Sequence, residues 1–306
     1  MRIVFSASHT KAEPWLEAVR QQLPGAEVVE WSPGGPPADY AIVWSPPQAF
    51  FDDQPGLKGI FNMGAGVDAL LKLKLPPKAM LVRLNDAGMS VQMSEFVCQA
   101  AIRHFREFDV NEREMREGKW SFRKPRVRSE YPVGVMGLGV LGERVAKSLT
   151  TFEFDVLGWS RSQKHVEGVR CFHGEQGFEQ FLAQTRILVC LLPLTPETTG
   201  ILNRDTFAKM IPGGYLINVA RGAHLVEEDL LPALESGQLA GATLDVFRTE
   251  PLPAGHPFWN HPNITLTPHT SARTLREETV AQIADKIRAF ERGEPIAGVV
   301  DRQRGY

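Results

Sequence analysis

The chain has 306 residues, 43% hydrophobic and 23% charged, a globular composition that excludes a disordered or low-complexity chain. Its formal net charge of -2 leaves no basic footprint for nucleic acid or for an anionic membrane surface. Three cysteines, Cys98, Cys171 and Cys190, are odd in number and lack metal-ligand spacing, so they read as buried free thiols of a reducing compartment.

The apolar run from Met1 to Ser8 is too short for a secretory signal, and no stretch approaches the ~18 apolar residues that span a bilayer. The expectation is a soluble, cytoplasmic, unprocessed protein with no nucleic-acid partner, no membrane partner and no metal. Short continuous apolar runs alternate with amphipathic stretches, the pattern of parallel strands buried on both faces and covered by helices. The first run is Arg2 to Ala7, followed by a helix with Trp15, Leu16, Val19 and Leu23 on one face. Strands are predicted at Glu27 to Trp31, Tyr40 to Trp44, Gly59 to Met63 and Met80 to Leu84. A long helix is predicted from about Val91, with Phe96, Val97, Ala100, Ala101, His104, Phe105 and Phe108 on one side. The basic, Pro-containing segment Lys119 to Arg128 reads as a domain boundary.

A second series of strands is predicted at Val133 to Met136, Phe154 to Ser160, Ile187 to Leu192, Tyr215 to Ala220, Ala242 to Phe247 and Ile264 to Thr267, with helices in the gaps. A last helix, Thr274 to Glu291, carries Leu275, Val280, Ile283, Ala284, Ile287 and Phe290 on one face and is expected to return to the first domain. The expected fold is α/β: two Rossmann-like, doubly wound parallel-sheet domains separated by a cleft. One comprises residues 1–94 with 274–306 and is flavodoxin-like; the other comprises 95–273.

Gly137-Leu138-Gly139-Val140-Leu141-Gly142 follows a predicted strand and opens a predicted helix, the context in which this spacing binds a dinucleotide. Gly137 permits the tight turn, Gly139 lets a pyrophosphate approach the backbone, and Gly142 lets helix and strand pack closely. The diphosphate would sit on the free N–H groups and positive end of that helix. The next strand ends in Ser160-Arg161-Ser162-Gln163-Lys164, with no acid to accept from a ribose 2′-hydroxyl. Arg161 instead suits a 2′-phosphate, helped by Ser160, Ser162 and Lys164, so NADPH is expected over NADH. Leu192 and Pro193, and Val219 and Ala220, close two further strands at the same edge and are expected cofactor contacts. Asp245 is expected to accept from the nicotinamide carboxamide.

Three late segments each end a predicted strand: Asn218 to Gly222, Thr249 to Pro253 and Thr267-Pro268-His269. Parallel strands bring these ends to one edge of the sheet, the edge that carries ligands in open α/β folds. Arg221 offers a fork of donors matching a 2-keto carboxylate. His269 carries an imidazole that can donate a proton to a developing alkoxide. Glu250 as a neighbouring anion favours the imidazolium.

These motifs, in order and separation, resemble the D-isomer-specific 2-hydroxyacid dehydrogenase family over the whole chain. The resemblance makes Arg221, Glu250 and His269 the catalytic set. It makes Asn62-Met63-Gly64-Ala65-Gly66-Val67-Asp68 a substrate loop whose backbone N–H groups receive the carboxylate. Val43-Trp44, Asp86 to Met89, Trp159 to Ser162 and Val300 to Tyr306 narrow it to the branch that reduces glyoxylate to glycolate and hydroxypyruvate to D-glycerate. Trp44, Gly64, Ala65, Gly66 and Met89 are then expected to contact substrate beside Arg221 and His269. A homodimer through the nucleotide-binding domain is also implied. The alternatives are a reductase for bulkier 2-keto acids such as phenylpyruvate, and a dinucleotide-sensing co-regulator without catalysis.

Overall fold

Alternating burial builds both sheets. Along Arg2–Ala7 (β1), Ile3 and Phe5 enter one apolar cluster while Val4 enters another, because successive strand side chains point to opposite faces. Val133 and Val135 in Val133–Met136 (β6) likewise face one core while Met136 faces a second. The computed structural model describes residues 1–8 and 10–306. It divides into two units, Met1–Met89 with Arg273–Tyr306, and Ser90–Ala272.

The first unit contains β1, Glu13–Gln22 (α1), Glu27–Glu30 (β2), Tyr40–Trp44 (β3), Gln48–Asp53 (α2), Gly59–Asn62 (β4), Met80–Val82 (β5) and the late helix Arg276–Glu291 (α9). Its five strands are parallel in the order β2-β1-β3-β4-β5, the doubly wound flavodoxin-like order. Helices α1 and α9 cover one face through Leu16, Val19, Val280, Ile283, Ala284 and Ile287. The chain after α9 lies along the β5 edge, where Val299 forms an antiparallel bridge with Val82. The late helix therefore belongs to the first unit, but it starts at Arg276, and Leu275 is exposed.

The second unit contains Met89–Phe105 (α3), which begins at the junction, then Phe108–Arg116 (α4), β6, Val140–Thr151 (α5), Val156–Ser160 (β7), Val169–His173 (β8), Gly174–Leu182 (α6), Ile187–Cys190 (β9), Arg204–Lys209 (α7), Gly214–Asn218 (β10), Glu227–Glu235 (α8), Leu239–Leu244 (β11) and Ile264–Leu266 (β12). All seven strands are parallel, in the order β12-β11-β10-β9-β6-β7-β8. The winding reverses between β6 and β9, so the loop after β6 opens at the reversal point.

Four expectations need correction. The division falls after Met89 and Ala272, not after 94 and 273, because Met93 and Val97 of α3 pack in the second unit's core. The single long helix is two: Glu107 adopts a left-handed backbone (φ 56) that breaks it, α4 buries no residue, and Phe108 is exposed. The segment Lys119 to Arg128 is no boundary but part of the second unit, pinned by cation–π stacking. Arg126 sits over Tyr131 at 4.9 Å, and Arg128 sits over Phe105 and Phe154 at 4.8 and 4.6 Å. Strand β8 was not anticipated: it is a half-exposed edge strand, Val-Arg-Cys-Phe-His, with no continuous apolar run. Cys171 within it is accordingly only half-buried, whereas Cys98 and Cys190 are buried free thiols.

Among the described residues, no helix is long and apolar enough to cross a membrane. Among the described residues, no group of three or more His, Cys, Asp or Glu side chains is placed to hold a metal. A groove of about 610 Å³ in the first unit, along α9 and Asp86-Ala87, contains none of the expected site residues.

Candidate active site

Strands β12, β11 and β10 are neighbours at one end of the second sheet and run parallel, so their carboxyl ends share an edge. That edge brings His269, Glu250 and Arg221 together. The His269 Nδ1–H donates to Glu250 Oε2 at 2.8 Å, and the other carboxylate oxygen of Glu250 accepts from the Phe247 N–H at 2.9 Å. Partial burial pushes the Glu250 carboxyl up. The His269 hydrogen bond, the Phe247 N–H and the charges of His269 and Arg221 outweigh it and hold the carboxyl below the usual carboxylate range. Arg221 is thus close enough for its charge to act on Glu250. The pair is half-exposed, with side-chain exposures of 45% for His269 and 36% for Glu250.

Local backbone chemistry fixes each member. His269 has φ 54, a left-handed conformation costly for a residue with a Cβ and held by tertiary contacts. Its N–H donates to the Asp245 carbonyl at 2.8 Å. The fully buried Asp245 carboxylate accepts from Thr267 Oγ1 at 2.5 Å, Thr270 N at 2.8 Å and Ser271 N at 2.9 Å. Asp245, expected to meet the nicotinamide, therefore latches the loop that carries His269. Arg221 begins a 3-10 turn, Gly222–His224, and its Nη1 donates to the Ala220 carbonyl at 2.7 Å. A Cβ at Gly222 would lie 1.8 Å from the Phe247 carbonyl carbon, so the Arg221 turn packs backbone to backbone on the segment leading to Glu250. Asn218 holds the approach, its Nδ2 donating to the Arg221 carbonyl at 3.1 Å and its Oδ1 accepting from Ala220 N at 3.2 Å.

The glycine loop after β6 lies at the same sheet edge. Gly137 has φ 100, and a Cβ on Gly142 would stand 1.7 Å from the Gly137 carbonyl oxygen, so neither position accepts a side chain. A Cβ on Gly139 would meet nothing within 4 Å. The N–H groups of Gly139, Val140 and Leu141 have no acceptor among the described residues, leaving the start of α5 ready for an anion. Arg161, Ser162 and Lys164 are exposed beyond β7. Asp155 stands at the opposite end of that strand, 2.7 Å from Arg170. Ser160 is buried, and its hydroxyl donates to the Ser162 carbonyl at 2.8 Å, so its proton is already placed. One acid comes from elsewhere: the Thr195 hydroxyl, the Glu197 backbone N–H and the charge of Arg161 hold Glu197 below the usual range. Leu192, Val219 and Ala220 are buried at the strand ends, and Pro193 is exposed. These features fit a nicotinamide dinucleotide with a 2′-phosphate better than one with a bare ribose hydroxyl.

In the first unit, the loop after β4 is held from within. Asn62 Nδ2 donates to the Gly64 and Gly66 carbonyls at 3.0 and 2.8 Å. Among the described residues, the N–H groups of Gly64, Ala65 and Gly66 find no acceptor. The Trp44 ring covers Gly64, where a Cβ would come within 2.4 Å of Cζ3, and the indole remains 40% exposed. Met89 is buried at the start of α3.

Three positioning side chains escaped the sequence reading: Asn62, Asn218 and Thr267. The asparagines carried a usable signal, since Asn beside a glycine turn commonly bonds backbone two or three residues on. Thr267 gave none, because its partner Asp245 lies 22 residues away in sequence.

A model of the D-isomer specific 2-hydroxyacid dehydrogenase NAD binding domain matches residues 98–271. The chain is 49% identical, over 313 aligned positions covering 100% of both chains, to glyoxylate/hydroxypyruvate reductase A of Serratia proteamaculans. It is 42% identical to a D-isomer specific 2-hydroxyacid dehydrogenase from Xanthobacter autotrophicus Py2 solved with NADPH and MES, with a TM-score of 0.94 over 100% of this chain and 99% of that one. An NADPH-dependent glyoxylate/hydroxypyruvate reductase from Sinorhizobium meliloti, solved with NADP and sulfate, is 36% identical with a TM-score of 0.92 over 100% and 99%. The chain belongs to the D-isomer specific 2-hydroxyacid dehydrogenase family.

Proposed function

We propose that this protein is an NADPH-dependent reductase of small 2-keto acids, converting glyoxylate to glycolate and hydroxypyruvate to D-glycerate. The observation that carries the reading is the 2.8 Å Glu250–His269 pair at the sheet edge shared with Arg221 and the glycine loop. When bound, the dihydronicotinamide supplies the hydride. The glycine loop and the start of α5 hold its diphosphate, and Arg161, Ser162 and Lys164 face its 2′-phosphate. Leu192, Pro193, Val219 and Ala220 border the cofactor. Arg221 grips the keto-acid carboxylate and polarises the carbonyl. His269, its Nδ1–H fixed on Glu250, gives the proton at Nε2 to the oxygen that becomes the hydroxyl. Glu250 keeps the ring oriented and stabilises its charged form. In the first unit, the free N–H groups of Gly64, Ala65 and Gly66 receive the carboxylate, and Trp44 and Met89 limit substrate size.

The test follows NADPH absorbance on adding glyoxylate, hydroxypyruvate or phenylpyruvate. Rapid decline with the first two is expected; faster turnover of phenylpyruvate would assign the bulkier class. No decline with any of the three would end the reductase reading. His269→Ala should lower turnover about 10²- to 10⁴-fold while cofactor affinity stays near wild type.

The same reading includes a homodimer through the nucleotide-binding unit. Its support is the almost complete exposure of Trp120 (101%) and Phe122 (94%), large apolar side chains that a monomer rarely leaves in water. Sedimentation of the wild type against a Trp120→Ser/Phe122→Ser variant decides it; a monomeric wild type would refute the dimer. Residence in the cytoplasm accords with three free cysteines, and cell fractionation tests it.

A further inference from the structure

His224 is fully buried one short turn beyond Arg221. Its Nδ1 lies 3.2 Å from the Arg221 amide nitrogen, and its Nε2 lies 3.3 Å from the Pro193 carbonyl oxygen. The Arg221 N–H needs an acceptor and the Pro193 carbonyl needs a donor. The neutral tautomer with the proton on Nε2 satisfies both contacts. With the proton on Nδ1, the ring would instead donate to the Arg221 carbonyl at 3.1 Å, and the Pro193 oxygen would face a bare nitrogen lone pair. Pro193 is fixed in turn by the Thr198 hydroxyl, which donates to the same carbonyl at 2.7 Å. Two backbone bonds tie the turn to the following segment, Gly200 N to Ala223 O and Leu202 N to His224 O, each at 2.9 Å.

We propose that His224 is a positioning residue: its Nδ1 fixes the backbone of Arg221, and its Nε2–H ties that backbone to the Pro193 segment, so that the guanidinium is presented in one orientation to the keto-acid carboxylate. The role of Arg221 in this proposal rests on the reductase reading. In this proposal His224 acts through Arg221. A purely structural histidine would affect stability and leave the kinetic constants alone. A positioning histidine raises KM for the keto acid more than it lowers kcat, because the lost orientation weakens the grip on the carboxylate.

The experiment compares three variants by steady-state kinetics with glyoxylate. His224→Phe keeps the ring volume and removes both nitrogens. His224→Asn restores an acceptor at the Nδ1 position, and His224→Gln restores a donor at the Nε2 position. The Phe variant should raise KM about tenfold and change kcat less than about threefold, the effect on ground-state binding of leaving the Arg221 N–H unpaired while the Pro193 carbonyl keeps the Thr198 hydroxyl. Asn should recover most of the loss in KM and Gln should not. Nitrogen-15 NMR of the His224 ring in the whole protein should show the Nε2–H tautomer. Unchanged KM in a folded Phe variant, equal behaviour of Asn and Gln, or an Nδ1–H ring would overturn the proposal. If His224→Phe does not fold, the comparison of Asn with Gln decides. If the wild-type protein does not consume NADPH with glyoxylate, the reductase reading fails separately, and the ring tautomer still decides whether the Arg221 backbone is held as described.

Discussion

Two glycine loops, one in each unit, follow a central parallel strand and leave backbone N–H groups without acceptors. The proposed function gives them different ligands. In the Gly137–Gly142 loop the outer glycine is open: a Cβ on Gly139 would touch nothing, and the free donors belong to the first turn of α5. In the Gly64–Gly66 loop, the Trp44 ring roofs Gly64 and the Asn62 amide draws the carbonyls inward. The first arrangement suits an extended diphosphate laid on a helix dipole. The second suits a small, flat carboxylate beneath an aromatic lid. In the proposed function, the same strand-loop topology serves two ligands, and the side chains around each loop make the difference.

The largest expected effect tests the rigid half of that contrast. Gly142→Ala forces a methyl against the Gly137 carbonyl, where the closest approach would be 1.7 Å with backbone on both sides. NADPH binding measured by nucleotide fluorescence should weaken roughly 10²-fold. Gly139→Ala should leave the thermal midpoint unchanged; a midpoint that falls as far as for Gly142→Ala would erase the distinction between open and packed glycines. Next, Arg161→Ala removes a charge-assisted contact, and the ratio of kcat/KM for NADPH over NADH should fall about 10- to 100-fold. An unchanged ratio would show that the turn after β7 does not read the 2′-phosphate.

A smaller effect is expected in the first unit, because the obstacle there can move. Gly64→Ala pushes on an indole that is 40% exposed, so KM for glyoxylate should rise about tenfold, with NADPH affinity constant. A shift in NADPH affinity instead would mean that the two loops do not bind separate ligands. A last test, of stability and not of binding, lies away from either loop and serves as their control. His104 in α3 is buried and stacks on Tyr215 at 4.1 Å. Burial, with the charges of Arg126 and Arg186, lowers its pKa from 6.5 to about 3. Between those values the unfolded chain binds the extra proton, so stability present above pH 6.5 is lost as the pH falls toward 3. The loss should reach about 2 kcal/mol between pH 6.5 and 5. His104→Phe should flatten the thermal midpoint over that range, and an equally steep decline in the variant would assign the acid sensitivity elsewhere.

Much of this protein was legible in its residues. Continuous apolar runs such as Tyr40–Trp44 and Ile187–Cys190 marked buried parallel strands, because a strand covered on both faces must be apolar on both. The Gly137 spacing marked the strand–turn–helix that joins β6 to α5. Arg221 and His269 were identifiable because parallel strands deliver their carboxyl ends to one edge whatever the loops do. Edge strand β8 was not legible, since half-exposure removes the apolar signal. Nor was the break at Glu107, where nothing in the residue type announces a left-handed backbone.

What the sequence determined by itself was the alternation of strands and helices, the glycine loop, and the presence of an arginine, a glutamate and a histidine at strand ends. These depend on local periodicity and on the chemistry of single residues. Tertiary structure decided the rest: Glu250 meets His269, Asp245 serves the His269 loop with its carboxylate turned to Thr267, Thr270 and Ser271, and His224 lies between Arg221 and Pro193. Those pairings join residues up to 31 positions apart. Asp245 and His224 are fully buried, and packing that excludes water from a buried polar group forces it to find such a partner.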